Sequence, residues 1–453
     1  MLHVFLQESI QKWENNLTAN RKAATMISRY DIKDISSLWT ESKRFETFLQ
    51  VEIALLKALE GKSKIPVGTH KAFANVVINP ARISEIEEVT RHDVIAFCSS
   101  ITEQVDASVA RYFHFGVTSS DILDTALSLQ LKETLQVIIK DMKAMLEALN
   151  EQVEKSKDLL CMGRSHGMYA EPMIFAQKFL SFHQEISRRL SDYERIVETE
   201  ITGQISGAVG NYTILDAEVE SLTLKELGLK TEAVSTQVIP RDHLAKIVSN
   251  GALLASALER MAVEFRLLHH SDISEIHEGF KKGQKGSSTM PHKKNPISSE
   301  NISGLSRLIR SHVEVALQNN VLWHERDISH SSNERLYLPD HFGLVSYALR
   351  RMTATVRDLE LHREEIEAKA LENFTALSSF ILHEMILLNS TTREELYAFV
   401  QEASFTSKSA DEFFKWIETQ AKVKSYKLPV LLKQKELKEH YVNRFAEVLK
   451  RTR

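Results

Sequence analysis

The chain has 453 residues and a formal net charge of −4, so no global positive charge favours nucleic acid as a partner. Its two cysteines, Cys98 and Cys161, exclude a disulfide framework and disfavour a structural zinc site. No apolar run approaches the ~20 residues of a membrane-spanning helix, and the start of the chain lacks the apolar core of a secretion signal. We therefore expect a cytoplasmic protein without membrane contact.

Apolar residues spaced three or four apart predict four long helices in the middle of the chain. The stripes run from Leu127 to Leu149, from Phe175 to Val197, from Leu244 to Leu268 and from Ile302 to Leu317. Pro172 precedes the second stripe, where a first helical turn tolerates proline. Helices of about thirty residues are ~45 Å long and bury such stripes by bundling together.

The rest of the chain is more broken by turn residues, with glycine and proline at 61–68 and a polar junction at 389–392. We predict an all-α fold with an N-terminal helical domain over residues 1–117, a central long-helix bundle over 118–365 and a C-terminal helical domain over 366–453. The length of the central helices favours their packing against further chains.

The run 286–296 is the most informative segment of the sequence. It reads Gly-Ser-Ser-Thr-Met-Pro-His-Lys-Lys-Asn-Pro and combines hydroxyl groups, basic side chains and two prolines. Gly279 and Gly283 precede it and allow backbone movement, whereas Pro291 and Pro296 restrict the backbone afterwards. This composition predicts a loop that closes over an anion. The alternative is a basic surface loop without chemistry.

Five further polar clusters interrupt the helical pattern and share arginine, histidine, hydroxyl and amide side chains. They lie at 28–31, 90–93, 114–121, 163–167 and 324–335. Each alone is compatible with a solvated helix end, and Ser120 or Asp121 is placed to cap the first long helix. His269, His270 and His277 form the one group that suggests a metal, but their loose spacing favours helix-surface histidines.

Together, the run 286–296 and these clusters resemble the adenylosuccinate lyases of the fumarase/aspartase superfamily, in the same order along nearly all of residues 26–453. The superfamily pattern in the run is Gly-Ser-Ser-x-Met-Pro-x-Lys-x-Asn-Pro. The Arg-Tyr, Arg-His-Asp and His-x-Gly-x-Thr-Ser-Ser-Asp clusters point to the purine branch. The resemblance implies a three-domain fumarase/aspartase-like fold, a homotetramer whose active sites draw on three chains, and no metal or cofactor.

The reaction that the resemblance implies is β-elimination in purine nucleotide biosynthesis: fumarate leaves adenylosuccinate to give AMP, and leaves SAICAR to give AICAR. Ser287 matches the base that removes the proton beside the succinyl carboxylate, and His166 matches the acid that protonates the leaving nitrogen. Glu300 matches the carboxylate that orients this histidine, and Lys293 matches a cation that supports the serine. The resemblance also places His92 among the catalytic residues.

Such a substrate carries two carboxylates and a phosphate, which require cationic and hydrogen-bonding groups. The residues that match the binding groups of the family are Arg29, Tyr30, Arg91, Asp93, His114, Thr118, Ser119, Gln237, Ser288, Lys294, Asn295, Arg326, Ser331 and Arg335. Ser165, Tyr169 and Lys294 differ from the residues that are common in the family at these positions. These differences bear on substrate fit rather than on the type of reaction.

Two other interpretations stay open from the sequence. One is a different fumarate-releasing lyase of the superfamily, such as argininosuccinate lyase, and the other is a non-catalytic structural oligomer. Retention of Ser287, His166, Lys293 and Glu300 argues against the structural oligomer. Because the segment from Met26 resembles the start of such lyases, we expect residues 1–25 to form an extension without a catalytic group.

Overall fold

The computed structural model describes residues 27–452 apart from 281, 282, 284, 287 and 431–433. This part of the chain is mainly helical, with three two-stranded sheets. The extension predicted over residues 1–25 and the candidate base Ser287 both lie outside the described residues. None of the described helices has the length and apolar character needed to cross a membrane.

The described helices and strands alternate irregularly along the chain. In chain order the helices are α1 (Lys33–Ser36), α2 (Glu41–Gly61), α3 (Pro80–Thr90), α4 (Asp93–Thr102), α5 (Ala107–Ala110), α6 (Ser119–Ser156), α7 (Ala176–Thr199), α8 (Ala217–Leu227), α9 (Asp242–Leu268), α10 (Ile297–Gln318), α11 (Ser329–Arg357), α12 (Arg363–Glu372), α13 (Ser378–Leu388), α14 (Arg393–Thr406), α15 (Ala410–Lys424) and α16 (Gln434–Lys450). The strands are β1 (Leu160–Ser165), β2 (Met168–Ile174), β3 (Thr202–Gly203), β4 (Lys230–Thr231), β5 (Ile276–His277) and β6 (Glu360–Leu361). The pairs β1–β2 and β5–β6 are antiparallel, and β3–β4 is parallel. Short 3₁₀ turns lie at Ser28–Tyr30, Ser37–Trp39, Thr69–Phe73 and Phe374–Leu377.

The four predicted apolar stripes fall on α6, α7, α9 and α10, which confirms the helix prediction. In α9 every predicted position from Leu244 to Leu268 is buried, as expected for a helix that faces a core. In α10 the stripe ends early, because Leu317 is 49% exposed in the single chain. The pattern therefore predicted the helices correctly but overextended the buried face of one.

The start of α6 differs from the sequence prediction in its capping. The helix begins at Ser119, so Ser120 and Asp121 lie inside its first turn and neither occupies the cap position. Asp121 instead accepts a hydrogen bond from the backbone N–H of Thr118 at 2.8 Å. A carboxylate in the third helical position that reaches back in this way is one half of a capping box.

Pro172 is placed differently from the prediction. Pro172 lies in β2 opposite Met162 rather than in the first turn of a helix, and α7 begins only at Ala176. A two-stranded sheet has open edges, where a residue without an N–H group is tolerated. A second proline, Pro339, lies inside α11. 

Two compact units divide the described chain, and each combines three segments. One unit comprises residues 27–142, 189–256 and 305–350, and the other comprises 143–188, 257–304 and 351–452. We call them unit 1 and unit 2. The predicted three-domain division, with boundaries at 117/118 and 365/366, stays a prediction.

Each unit has its own aromatic core. In unit 1, Phe45 stacks on Phe97 with ring centres 5.9 Å apart, and Phe48 meets Phe97 edge-on. In unit 2, Phe179 and Phe182 of α7 pack against Phe265 of α9. The β1–β2 hairpin also belongs to unit 2 and packs against α12 and α16. The helices and strands that pack on these cores lead into the polar segments with the candidate site residues.

Candidate active site

The β1–β2 hairpin presents His166 at its tip. Ser165 pairs with Met168, so the turn consists of His166 and Gly167 alone. Both residues have left-handed backbone angles, with φ of 54° at His166 and 78° at Gly167. Positive φ at both central residues is the geometry of a type I′ turn, whose twist matches that of the flanking strands. The exposed imidazole therefore sits on a short turn with a defined backbone.

The stem of this hairpin is anchored by Arg164. Its guanidinium pairs with the buried carboxylate of Glu275, with Nη1 3.2 Å from Oε2. The same group lies 4.9 Å from the centre of the Tyr169 ring across the hairpin. Burial lowers the pKa of Arg164, but the hydrogen bonds to Glu275 outweigh burial and raise this pKa above its usual value. Arg164 thus stays charged and fixes the strands that carry His166.

The glycine-rich loop comprises residues 279–296, and its described part is held by contacts to main-chain atoms. Asn295 Nδ2 donates to the carbonyl oxygen of Gly286 at 3.1 Å. A Cβ atom at Gly286 would lie 2.0 Å from the Lys293 carbonyl oxygen, so only glycine fits there. Ser288 and Lys293 are exposed. Ser287 itself is not among the described residues, so its role as base stays a prediction.

Glu300 lies in the first turn of α10, directly after this loop, and is exposed. Glu278 caps the same helix: its carboxylate accepts from Ser298 N at 3.0 Å and from Ser299 N at 2.8 Å. Both carboxylates stabilise the positive end of the helix dipole. Among the described residues no hydrogen bond joins Glu300 to His166. The predicted orienting contact between these two side chains therefore stays a prediction.

The histidines beside the loop are placed differently from the sequence interpretation. His269 follows the end of α9 and is only 8% exposed, and His277 lies in β5, so neither is a helix-surface histidine. His270 is exposed. His269 Nε2 contacts the Lys294 carbonyl oxygen at 2.9 Å, while the Lys294 ammonium lies 5.6 Å from the centre of the Phe280 ring. Lys294 is thus held at its backbone, with its side chain exposed.

In unit 1, three predicted site residues join α3 to α4. Arg91 follows the end of α3 with a φ of 54°, and His92 is the N-cap of α4, where its Nδ1 accepts from Ile95 N at 3.4 Å. Asp93 is the first residue of α4. Arg91 and His92 are exposed, so a dissolved anion can reach the Arg91 guanidinium and the Nε2–H group of His92.

Asp93 binds two arginines. Its Oδ2 lies 2.6 Å from Arg44 Nη2 and 2.5 Å from Arg335 Nη2. Burial raises the pKa of Asp93, but the charges of Arg44 and Arg335 outweigh burial and hold this pKa below its usual value. The structure therefore brings the predicted residues Asp93 and Arg335 together. Arg44 was missed, because its helical position gives no local signal.

His114 is held by a carboxylate from α2. Its Nδ1 lies 2.6 Å from Glu52 Oε1, and its backbone N–H donates to Glu52 Oε2 at 3.2 Å. The Glu52 side chain is fully buried. Burial lowers the pKa of His114, but the hydrogen bond and charge of Glu52 outweigh burial and raise this pKa. The pair therefore favours a cationic imidazole at a half-buried position.

The adjoining polar turn is organised by Asp121. Its Oδ2 accepts from Thr118 N, and its Oδ1 accepts from the backbone N–H groups of Ser206 and Gly207 at 3.0 and 3.2 Å. Burial raises the pKa of Asp121 to about 6 in spite of these donors. Asp121 thus fixes the position of Thr118 and of Ser119, the first residue of α6.

Gln237 and Arg326 form a second predicted pair in unit 1. Arg326 Nη1 donates to Gln237 Oε1 at 3.1 Å, and Gln237 N donates to the Glu325 carbonyl oxygen at 3.3 Å. Gln204 Nε2 in turn donates to the Gln237 carbonyl oxygen at 2.6 Å. These bonds hold the amide and the guanidinium in one fixed arrangement.

The remaining predicted residues of unit 1 lie at element ends. Arg29 is exposed and Tyr30 is half-buried, with the Tyr30 ring meeting Tyr347 edge-on at 5.0 Å. Ser331 lies half-buried in the first turn of α11. No hydrogen bond among the described residues joins Arg29 or Ser331 to another predicted site residue.

A buried cluster of charged side chains, which includes Glu334 of α11, was not predicted from the sequence. Arg241 contacts Asp124 Oδ2 at 2.7 Å and Glu334 Oε1 at 3.0 Å, and all three side chains are almost fully buried. Burial raises the pKa of Glu334 to about 7, although the charge of Arg241 opposes this shift. Asp124 lies in α6, Glu334 lies in α11, and Arg241 lies immediately before α9, so the cluster connects these three helices within unit 1. It therefore stabilises α6 and α11, the helices that carry Ser119 and Ser331.

Comparison with known proteins identifies the family. A family model described as lyase matches residues 31–310. The chain is 40% identical over 394 residues to the adenylosuccinate lyase of Thermotoga maritima, covering 86% of this chain and 90% of the relative. It is 41% identical over 381 residues to the adenylosuccinate lyase of Synechocystis sp., covering 83% and 87%.

Solved structures share the fold at low sequence identity. A fumarate lyase from Mesorhizobium sp. superposes with a TM-score of 0.79 at 19% identity, covering 91% of this chain and 94% of that structure. A β-carboxy-cis,cis-muconate cycloisomerase from Acinetobacter calcoaceticus superposes with a TM-score of 0.77 at 21% identity, covering 90% and 94%. These likenesses confirm the predicted all-α, fumarase/aspartase-like fold. The chain therefore belongs to the lyase family of the fumarase/aspartase superfamily, among its adenylosuccinate lyases.

Proposed function

We propose that this chain is a carbon–nitrogen lyase that releases fumarate from adenylosuccinate to give AMP, and from SAICAR to give AICAR. The observation that carries the proposal is the 40% identity over 394 residues to a curated adenylosuccinate lyase, with nearly full coverage of both chains. The relatives are named for the first substrate only. The second substrate follows from its having the same succinylamino group, which the same elimination cleaves.

The elimination requires two proton transfers, and the chain offers a group for each. Ser287 removes the proton from the carbon beside the succinyl carboxylate, and His166 protonates the nitrogen that leaves. Support for the acid comes from the turn: its backbone angles are fixed by the hairpin, so the imidazole is presented to the substrate without a large ordering cost. The exposed Lys293 ammonium stabilises negative charge beside Ser287 as the proton departs.

Substrate anions are bound by side chains that the fold has already ordered. Arg335 is held by Asp93, Arg326 by Gln237 and the His114 imidazole by Glu52. Guanidinium groups suit carboxylate and phosphate because they donate two parallel hydrogen bonds. Pre-ordering reduces the entropy lost on binding. The exposed Arg29 and Arg91 add positive charge at the same kind of polar turns, and the exposed His92 adds an Nε2–H donor.

We further propose a cytoplasmic homotetramer whose active sites combine side chains from different subunits. Support for assembly comes from the long helices, where Leu253, Leu267, Leu308 and Leu317 are each about half exposed in the single chain. Each of these leucines would bury apolar area if another subunit packed on these helices. Among the described residues no hydrogen bond joins Glu300 to His166 within one chain, which is expected when the acid and its carboxylate come from different subunits.

Mixing purified protein with adenylosuccinate, and in parallel with argininosuccinate, tests the proposed reaction through absorbance change and fumarate release. We expect turnover of adenylosuccinate with a kcat/KM at least a hundredfold above that for argininosuccinate. Preference for argininosuccinate would assign the chain to the other lyase branch. Absence of fumarate from both substrates would support a structural oligomer instead.

A further inference from the structure

Two histidines and a glutamate share one face of the β5–β6 ladder in unit 2. His277 of β5 lies directly opposite Glu360 of β6. His362 is two residues beyond Glu360, and residues two apart in an extended strand point to the same side. The backbone N–H of His362 donates to the Glu275 carbonyl oxygen at 3.0 Å, which continues the ladder past β6. The pairing register therefore places the three side chains together.

The tautomer of His362 leaves a nitrogen lone pair available. Its Nδ1 lies 2.8 Å from the Ser274 carbonyl oxygen, and a carbonyl only accepts, so Nδ1 carries the proton. Nε2 is then unprotonated. A histidine that donates its other ring N–H to a backbone carbonyl is the usual arrangement of a metal ligand. The His277 ring meets His362 edge-on with ring centres 4.4 Å apart.

Within the described part of the chain, the His277 ring also has a nitrogen free to bind a metal ion, whereas both ring nitrogens of His269 are engaged in hydrogen bonds. No hydrogen bond among the described residues engages the His277 ring. His269 lies close to it, with ring centres 4.6 Å apart. However, His269 uses Nε2 on the Lys294 carbonyl oxygen and Nδ1 on the Glu278 backbone N–H. The ligand set is therefore two imidazoles and one carboxylate.

We propose that His277, Glu360 and His362 bind a divalent transition-metal ion such as Zn²⁺, with a fourth position open to water. One ligand atom from each residue lies within 4.8 Å of the other two. Metal–ligand bonds of about 2.0 Å in a tetrahedral site place ligand atoms ~3.3 Å apart. Closure of the site therefore needs only small side-chain rotations, and Glu360 is exposed and able to rotate.

The charges around the cluster are compatible with a cation. The His277 ring lies beside the imidazoles of His269 and His362, and one oxygen of the Glu360 carboxylate lies within 4.8 Å of the ligand nitrogens of His277 and His362. The positive charge of Lys294 also acts on His277 and disfavours a bound cation. The Glu360 carboxylate offsets this repulsion, because it both neutralises charge and binds the ion directly. Imidazole and carboxylate together favour Zn²⁺ and its neighbours over Mg²⁺ or Ca²⁺.

Metal binding would join two segments that are far apart in sequence. β5 leads into Glu278, whose carboxylate caps the helix after the glycine-rich loop, and His362 is the residue immediately before α12. An ion held across β5 and β6 therefore fixes the stem of the loop. This role is structural and independent of the proposed elimination, so the two proposals are tested separately.

Calorimetric titration of the metal-stripped protein with Zn²⁺ tests the site, and Co²⁺ absorption in the visible range reports its geometry. We expect one equivalent per chain, with affinity reduced at least tenfold in both Glu360→Gln and His277→Phe. His277→Phe retains an aromatic ring for packing, and Glu360→Gln changes only an exposed side chain. His270→Ala is the matched control, because His270 is an exposed histidine outside the cluster.

Equal Zn²⁺ affinity in wild type, Glu360→Gln and His277→Phe would overturn the proposal, as would loss of binding in His270→Ala alone. Circular dichroism of each variant, compared with wild type, confirms that the fold is retained. Thermal unfolding supplies a second readout: Zn²⁺ should raise the midpoint of the wild type and of His270→Ala, but not that of Glu360→Gln. A rise of equal size in all three proteins would place the ion elsewhere.

Discussion

The pair formed by Glu52 and His114 allows the binding account to be tested with a single atom change. Glu52→Gln keeps the size of the side chain but replaces one carboxylate oxygen by an amide NH₂. Glu52 accepts two hydrogen bonds from His114, one from Nδ1 and one from the backbone N–H. Glutamine accepts only one of them, so one buried donor faces another donor. The expected loss of stability is about 1–3 kcal/mol.

The same change should weaken substrate binding through the charge of His114. Glu52 raises the pKa of His114, so removal of its charge lowers that pKa and leaves the imidazole neutral at pH values where it is charged in the wild type. A lost charge-assisted hydrogen bond costs about 1.5–3 kcal/mol, which corresponds to a KM raised about tenfold or more. Binding of the anionic substrate needs the protonated form and is lost as pH rises through the pKa of His114. In Glu52→Gln this loss should occur at lower pH.

Glu60 provides a matched control on the same helix. It accepts from the backbone N–H of His70 at 2.7 Å and lies 2.9 Å from His70 Nδ1, the same pattern as in the first pair. Glu60→Gln should therefore lower stability by a similar amount in urea unfolding while leaving KM unchanged between pH 6 and 9. An unchanged KM and pH profile in Glu52→Gln, or an equal rise of KM in Glu60→Gln, would refute the assigned role of His114.

Three further predictions concern the buried ion cluster, the hairpin turn and the first 25 residues. Arg241→Met should destabilise unit 1 by about 3–5 kcal/mol in urea unfolding, because it leaves two buried carboxylates without their cation. Gly167→Ala should lower kcat, because an alanine strains the left-handed turn that carries His166. Gly68→Ala is the matched control and should leave kcat unchanged. Gly68 has a comparable φ of 94°, and an added Cβ would meet open space at both positions. A chain that begins at Met26 should assemble and turn over like the full chain; a monomeric or several-fold slower form would contradict this.

The long helices were predictable because their signal is local. Buried stripes such as Leu244 to Leu268 repeat every three or four residues and need no knowledge of the partner surface. The β1–β2 hairpin was not predicted, since its turn contains His166 and Gly167 rather than the asparagine–glycine pair typical of type I′ turns. Leu317 was assigned to the core because the periodicity does not show where along a helix the buried face ends.

The side chains that position the candidate site were missed for a different reason. Arg44 contacts Asp93 from 49 residues away, and Glu52 contacts His114 from 62 residues away. Spacing within a short segment contains no information about such pairs. The motif residues themselves were recognisable because their order resembles that of a known family, whereas their partners are ordinary charged residues of helices. Sequence therefore predicted the family and its candidate site residues, and the fold identified the partners that hold Asp93 and His114 in position.

Subunit complementation tests the central claim most directly, because it requires both proton-transfer groups and a site shared between chains. Ser287→Ala and His166→Ala should each lower kcat about a hundredfold or more while retaining the assembly of the wild type. After subunit exchange in an equal mixture, about a quarter of the sites contain both intact groups if the two come from different subunits. The account predicts recovery toward that fraction of wild-type fumarate release. No recovery, with exchange demonstrated by native mass spectrometry, would contradict it.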